Sequence, residues 1–117
     1  MAKTPNAARA AVDATQPEGE YQRQIMELAE LCGWKIYHTF DSRRSHKGWP
    51  DLTLVRGKEL LFLEVKGNSK GRRGTVTREQ GEWIAALKDV TRVGVWAVWP
   101  QDWAKVEGTL GRSGGGL

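Results

Sequence analysis

With 117 residues the chain fits one domain, long enough to bury a hydrophobic core without disulfide staples. A single cysteine, Cys32, excludes an intrachain bridge and suits a reducing cytoplasm; no run is long and apolar enough to span a membrane, and the early alanines are broken by Arg9 and Asp13, so no signal peptide is expected. Net charge is +4 and the sequence pI is about 9.5, a moderate excess whose distribution says more than its size. Lys66, Lys70, Arg72, Arg73 and Arg78 follow one another with no acid between them, and Arg43, Arg44, His46 and Lys47 form a second basic run. Each run is either a solvated loop or a phosphate contact.

Residues 1–16 are Ala-rich, polar and without period, and are expected to form a flexible arm. The first helix runs from Glu18 to Cys32, between Pro17 and Gly33, with Tyr21, Ile25, Leu28, Ala29 and Cys32 as its apolar stripe. Trp34–Thr39 reads as a strand and residues 41–50 as a polar loop. Asp51–Arg56 and Glu59–Lys66 read as two strands joined at Gly57-Lys58, a favoured two-residue hairpin loop. A Gly-rich basic loop follows over 67–76. The second helix runs from Arg78 to Val90, with Thr77 as N-cap and Gln80 as its capping-box partner. Val93–Trp99 is an apolar strand ended by Pro100, and a short helix from Asp102 to Leu110 closes a domain spanning 17–110. Residues 111–117 are a flexible Gly-rich tail. The order α-β-β-β-α-β-α predicts an α/β (α+β) fold, a mixed sheet flanked by helices.

The hairpin carries the chemistry. A two-residue loop pairs Arg56 with Glu59 and Val55 with Leu60, and so places Asp51 opposite Glu64, with Cβ atoms about 4.5–5.5 Å apart. Lys66 lies two residues beyond Glu64 and shares its face. Leu52, Leu54, Leu61, Leu63 and Val65 fall on the other face, which should be core. Opposed carboxylates destabilise a sheet unless something joins them. A hard divalent cation, Mg²⁺ or Mn²⁺, with Asp51 and Glu64 as ligands, is one answer. Such an ion polarises a phosphoryl oxygen and acidifies bound water, and Lys66 could position that water or offset charge on phosphate.

Two helix residues join the candidates. On a wheel with Ile25 at zero, Glu18 falls at about 20° and Glu20 at about 220°, so Glu18 is in line with the buried stripe. Gln80 is in phase with Trp83, Ile84 and Leu87. Glu18 could instead simply complement the helix dipole, and Gln80 could be only a capping residue. The Asp51–Glu64–Lys66 set could be a surface ion network, but such a network does not need the flanking apolar alternation. His38 reads as structural, His46 as a phosphate or solvent contact, and Cys32 as a buried helix residue. The six tryptophans read as packing, with Trp49 placed to stack on a base or sugar.

Gly48-Trp49-Pro50-Asp51, Glu64-Val65-Lys66 and Gln80 together resemble the VRR-NUC branch of the PD-(D/E)XK nuclease superfamily, from about Glu18 to Leu110. The resemblance implies a restriction-endonuclease-like core and Mg²⁺- or Mn²⁺-dependent hydrolysis of DNA. It implies Asp51, Glu64 and Glu18 as metal ligands, Lys66 as the catalytic lysine and Gln80 as the helix glutamine, with Glu20 an alternative to Glu18. It makes Arg43, Arg44, Lys47, Trp49, Lys70, Arg72, Arg73 and Arg78 candidates for DNA contact. Stand-alone members of viral and bacterial origin resemble the chain in size and are similar to dimeric junction-resolving enzymes. That extends the expectation to a homodimer acting on branched or Holliday-junction DNA in a bacterial cytoplasm, phage-encoded. The rivals are a non-selective nuclease, a catalytically silent DNA-binding module of the same fold, and a structural protein with a fortuitous cluster.

Overall fold

Alternating apolar residues fold the centre of the chain into a hairpin of β2 (Leu52–Arg56) and β3 (Glu59–Val65). Gly57, at φ 59°, supplies the left-handed conformation that its tight turn requires. The pairs Arg56↔Glu59, Val55↔Leu60 and Leu52↔Leu63 follow the predicted register. The computed structural model describes residues 13–40, 46–69, 72–90 and 92–112. Around the hairpin it places α1 (Glu18–Leu31), β1 (Lys35–His38), a two-residue pair β4 (Asn68–Ser69) and β5 (Arg72–Arg73), α2 (Arg78–Lys88), β6 (Gly94–Val98) and α3 (Trp103–Gly111). The main sheet has the order β1-β2-β3-β6. β1 runs antiparallel to β2, and β6 parallel to β3, so the sheet is mixed and flanked by helices, as the pattern predicts.

Two cores follow from strand parity. On one face Leu52, Leu54, Leu61, Leu63 and Val65 are buried against Tyr21, Ile25 and Ala29 of α1 and Val106 and Leu110 of α3. Each such leucine contributes roughly 1.5–3 kcal/mol by leaving water. On the other face Phe62 and Val95 pack with Ile84 of α2, edged by Trp49, Val76 and Leu87. Arg56 ties the C-terminal ends of α1 and α3 together: its Nη1 donates to the carbonyls of Cys32 (3.0 Å) and Leu110 (2.9 Å), and Trp34 Nε1 donates to Leu110 O (3.0 Å).

Three expectations shift. Residues 13–15, assigned by sequence to the flexible arm, are helical, and Gln16 is buried with its carbonyl accepting from Asn68 N (2.8 Å). The 67–76 loop is not featureless: β4 and β5 pair as a ribbon, because buried Asn68 anchors it through Nδ2 to Asp13 O and to Gln101 Oε1 (3.0 Å). The last helix starts with a 3₁₀ turn at Pro100–Asp102, where proline suits the first position.

Two glycines bring the helices to the open end of the hairpin. A Cβ on Gly67 would fall 2.1 Å from Glu18 N, so α1 begins directly on the Gly67 backbone. A Cβ on Gly48 would fall 2.4 Å from Glu79 C, so the segment before Asp51 lies directly on the first turn of α2. Gly48 is also at φ 98°, where other residues are strained. Gly67→Ala should therefore push α1 off the sheet and cost about 1–3 kcal/mol, a fall in Tm of several degrees in thermal denaturation. Gly81→Ala in α2, where an added Cβ meets nothing within 4 Å, should raise Tm by helix propensity, worth up to about 1 kcal/mol.

Candidate active site

Asp51 stands one residue before β2, at the hairpin's open end. Its backbone is held by β1's continuation: Thr39 N donates to Asp51 O (2.8 Å) and Thr39 Oγ1 to Pro50 O (2.9 Å). Its side chain reaches across the hairpin, where Oδ2 accepts from Val65 N (2.8 Å). Glu64, on β3, is 1% exposed, and Lys66 is buried beside it with Nζ 3.5 Å from Glu64 Oε1. Asp51, Glu64 and Lys66 are thus brought together, as the register requires.

Gln80 holds both roles that its position allows. Thr77 Oγ1 accepts from Gln80 N (3.2 Å), and Gln80 Oε1 accepts from Thr77 N (2.9 Å), completing the capping box. The other end of the same amide donates from Nε2 to Glu64 Oε1 (2.9 Å). The Thr77 N–H fixes which end is oxygen, so the NH₂ is the end presented to the carboxylate.

Glu64 is therefore satisfied on one side alone. Oε1 receives Gln80 and faces Lys66, while Oε2 is buried without a hydrogen-bond partner. Burial pushes the Glu64 carboxyl up to about 8; the Asp51 carboxylate beside it pushes the same way, and Lys66 pulls partly back. Glu18, exposed at the rim, also has its pKa raised, by partial loss of hydration and then by the Asp51 charge, with Lys66 opposing. The start of α1 thus sets Glu18 within electrostatic reach of Asp51 and Lys66.

The residues suit a hard divalent ion in one respect: an orphaned, buried carboxylate oxygen beside a second carboxylate. Among the described residues no three His, Cys, Asp or Glu side chains gather closely enough to hold an ion by themselves. Asp51 and Glu64 form a pair, and the rest of a coordination shell would come from water and substrate, a common arrangement for Mg²⁺.

The basic candidates are placed unevenly. Arg72 and Arg73 are exposed on the ribbon that leaves the site at Gly67. Arg73 lies 3.9 Å from the centroid of the Trp99 ring, and Trp99 Nε1 donates to Gly74 O (2.8 Å). Arg78 is exposed and paired with Glu82 (3.1 Å). Lys47 is exposed, and its carbonyl accepts from Trp83 Nε1 (3.1 Å). Arg43, Arg44 and Lys70 lie outside the described residues. Trp49 is half-buried, edge-on to Phe62 (5.5 Å) and Trp83 (4.9 Å), and packing accounts for its position without a ligand. His38 pairs with Gln22 (2.8 Å), a structural contact. Sequence reasoning did not find Gly67 or Asn68 as positioning residues; a glycine directly after Glu64-Val65-Lys66 was the available signal.

Compared with protein-family models, with curated proteins and with solved structures, the chain matches none. The functional reading rests on the site's own chemistry.

The Glu64 carboxyl makes a pH prediction. Its folded pKa, about 8, lies above the ordinary value near 4.5, so the folded state binds the extra proton between them. That contribution is complete below about pH 4.5 and is lost as pH rises through about 8. Metal-free Glu64→Gln carries no such proton. Its Tm should gain on that of the wild type as pH rises across this window. Parallel Tm–pH curves for the two proteins would contradict the assignment.

Proposed function

We propose that the protein is a Mg²⁺- or Mn²⁺-dependent DNA endonuclease of the VRR-NUC type, with a restriction-endonuclease-like core and selectivity for branched DNA. The observation that carries this reading is the unpartnered Glu64 Oε2, buried opposite Asp51 with Lys66 alongside. A buried acid pair with an ammonium is costly to fold and gives a purely structural protein nothing in return. A DNA-binding module needs exposed cations, not this set.

Asp51 and the free oxygen of Glu64 would hold the ion, with Glu18 at the rim able to add an outer contact through water. When bound, the ion supplies Lewis acidity toward a phosphoryl oxygen and a more acidic water. Lys66, with Nζ 3.5 Å from Glu64 Oε1, would align that water or meet negative charge growing on the phosphate. Gln80 holds Glu64 in one orientation, leaving Oε2 for the ligand. Arg72 and Arg73, on the ribbon beside Lys66, would engage phosphates flanking the cut. Homodimerisation belongs to this reading, because paired cuts in a symmetric junction need two identical sites. No helix among the described residues is long and apolar enough to cross a membrane.

A cleavage panel of four-way junction, flap, splayed arm, linear duplex and single strand, with Mg²⁺ or Mn²⁺, tests the activity. Branched substrates should be cut fastest; equal cutting of all would favour the non-selective nuclease, and binding without cutting the silent module. Asp51→Ala, Glu64→Ala and Lys66→Ala should each lower cleavage by about 100-fold or more while largely preserving DNA affinity. Near-normal turnover in any of the three removes that residue from the mechanism. Arg72→Ala with Arg73→Ala should weaken DNA binding and reduce the salt slope by about 2. An unchanged slope means these arginines are only solvated.

A further inference from the structure

We propose that the chain carries a second phosphate-binding cleft, between β6 and α3 near the hairpin's turn, and that it takes the backbone of a DNA arm other than the one being cut. This rests on the nuclease reading and concerns a different surface. A cavity of about 870 Å³ is lined there by Lys58 at the hairpin turn, Arg92 and Gly94 before and in β6, Trp96, and Lys105, Gly108 and Arg112 on and after α3. Four cations thus border one cleft. The only acid among its described lining residues is Glu59, which is buried, accepts from Arg56 through Oε1 (3.2 Å) and leaves Oε2 without a hydrogen-bond partner, so the four cations outweigh one half-neutralised carboxylate. Lys58, Arg92 and Lys105 have no carboxylate partner among the described residues.

Two local features go against plain stability. Arg92 is the one non-glycine among the described residues with positive φ, at 67°, a conformation unfavourable for a residue with a Cβ. Gly108 sits inside α3, where glycine is a weaker helix former than alanine, and a Cβ there would meet nothing within 4 Å. The first sets a guanidinium at the mouth of the cleft, and the second leaves its helical wall open. Lys105 Nζ lies 5.6 Å from the centroid of the Trp96 ring, which holds an ammonium over the floor.

The cleft is remote from the carboxylates. Glu59 and Glu64 are five residues apart on β3, roughly 17 Å along the strand. They also face opposite ways. Gly94 and Trp96 are in register with Leu61 and Leu63, on the α1–α3 side, whereas Glu64 shares its side with Phe62, under α2. A straight duplex seated at Asp51 and Glu64 leaves this cleft empty, and a branched molecule has another arm to fill it. Selectivity for branched DNA then comes from a second contact rather than from the cut site.

The test is fluorescence anisotropy of a labelled four-way junction and of a linear duplex of matched length, in EDTA so that nothing is cut. It uses the full chain, Arg92→Ala with Lys105→Ala, and Gly108→Leu, which keeps every charge but obstructs the wall. The proposal expects both variants to lose junction affinity, the double one by roughly tenfold or more with a salt slope smaller by about 2, and duplex affinity to change by less than about twofold. Unchanged junction affinity, or equal weakening on both DNAs, overturns the proposal and leaves the nuclease reading standing. Failure of the wild type to bind either DNA overturns the proposal, and the cleavage panel with Mg²⁺ or Mn²⁺ separately decides the nuclease reading. A parallel thermal titration with inorganic pyrophosphate separates the sources. If it stabilises the wild type and not the double variant while junction affinity is the same in both, the occupant is a free phosphate and the assignment to a DNA arm is wrong.

Discussion

Two carboxylates that face each other, one of them buried, repel, and the Lys66 ammonium beside Glu64 offsets that only in part. Much of the molecule near the hairpin's open end serves to keep Asp51 and Glu64 in that position. The hairpin register sets them opposite, and the Val65 N–H holds Asp51 turned toward β3. Thr39 fixes the Asp51 backbone from the neighbouring strand. Gln80 and Lys66 approach Glu64 from one side only. What remains is one buried oxygen with no partner and a carboxyl whose proton affinity is raised to about 8. A fold selected for stability alone would replace such a pair by apolar residues at little cost or with gain.

The helices meet that pair through glycine. α1 begins on Gly67 and α2 on Gly48, at separations where a single added methyl would collide with backbone. Both helix N-termini, with their partly positive ends, thereby converge on the carboxylates. This arrangement makes Glu18 and Gln80 neighbours of residues that lie far from them in the chain. It also couples stability to the site, since moving either helix start moves a side chain that faces Glu64 or Asp51.

Much of this was legible in the residues. The register followed from a two-residue loop with glycine and from leucines in strict alternation, because a slip by one residue would have turned Leu52, Leu54, Leu61 and Leu63 to the wrong face. The phase with Ile25 set Glu18 apart from Glu20 without deciding which is the first-helix acid, and the phase with Ile84 singled out Gln80. The choice between capping and site for Gln80 was a false one, since an amide has two ends and uses one for each. Other features were not legible because they are long-range. Nothing local to Asn68 says that it will bond to Asp13 and Gln101, and so turn a basic loop into a ribbon. Nothing local to Trp49 says that Trp83, on the next helix, will pack edge-on against its ring. The cleft beside β6 is assembled from three separate segments, none of which carries a recognisable motif.

The central claim is that the unpartnered oxygen of Glu64 and the carboxylate of Asp51 are a binding site for a hard divalent ion. It is tested most directly by anomalous diffraction from crystals soaked in Mn²⁺. The account predicts a single strong peak between the two side chains, about 2.0–2.2 Å from Glu64 Oε2 and from a carboxylate oxygen of Asp51, with water completing the shell. A fully soaked crystal with no peak there, or with its strongest peak elsewhere on the protein, would contradict it.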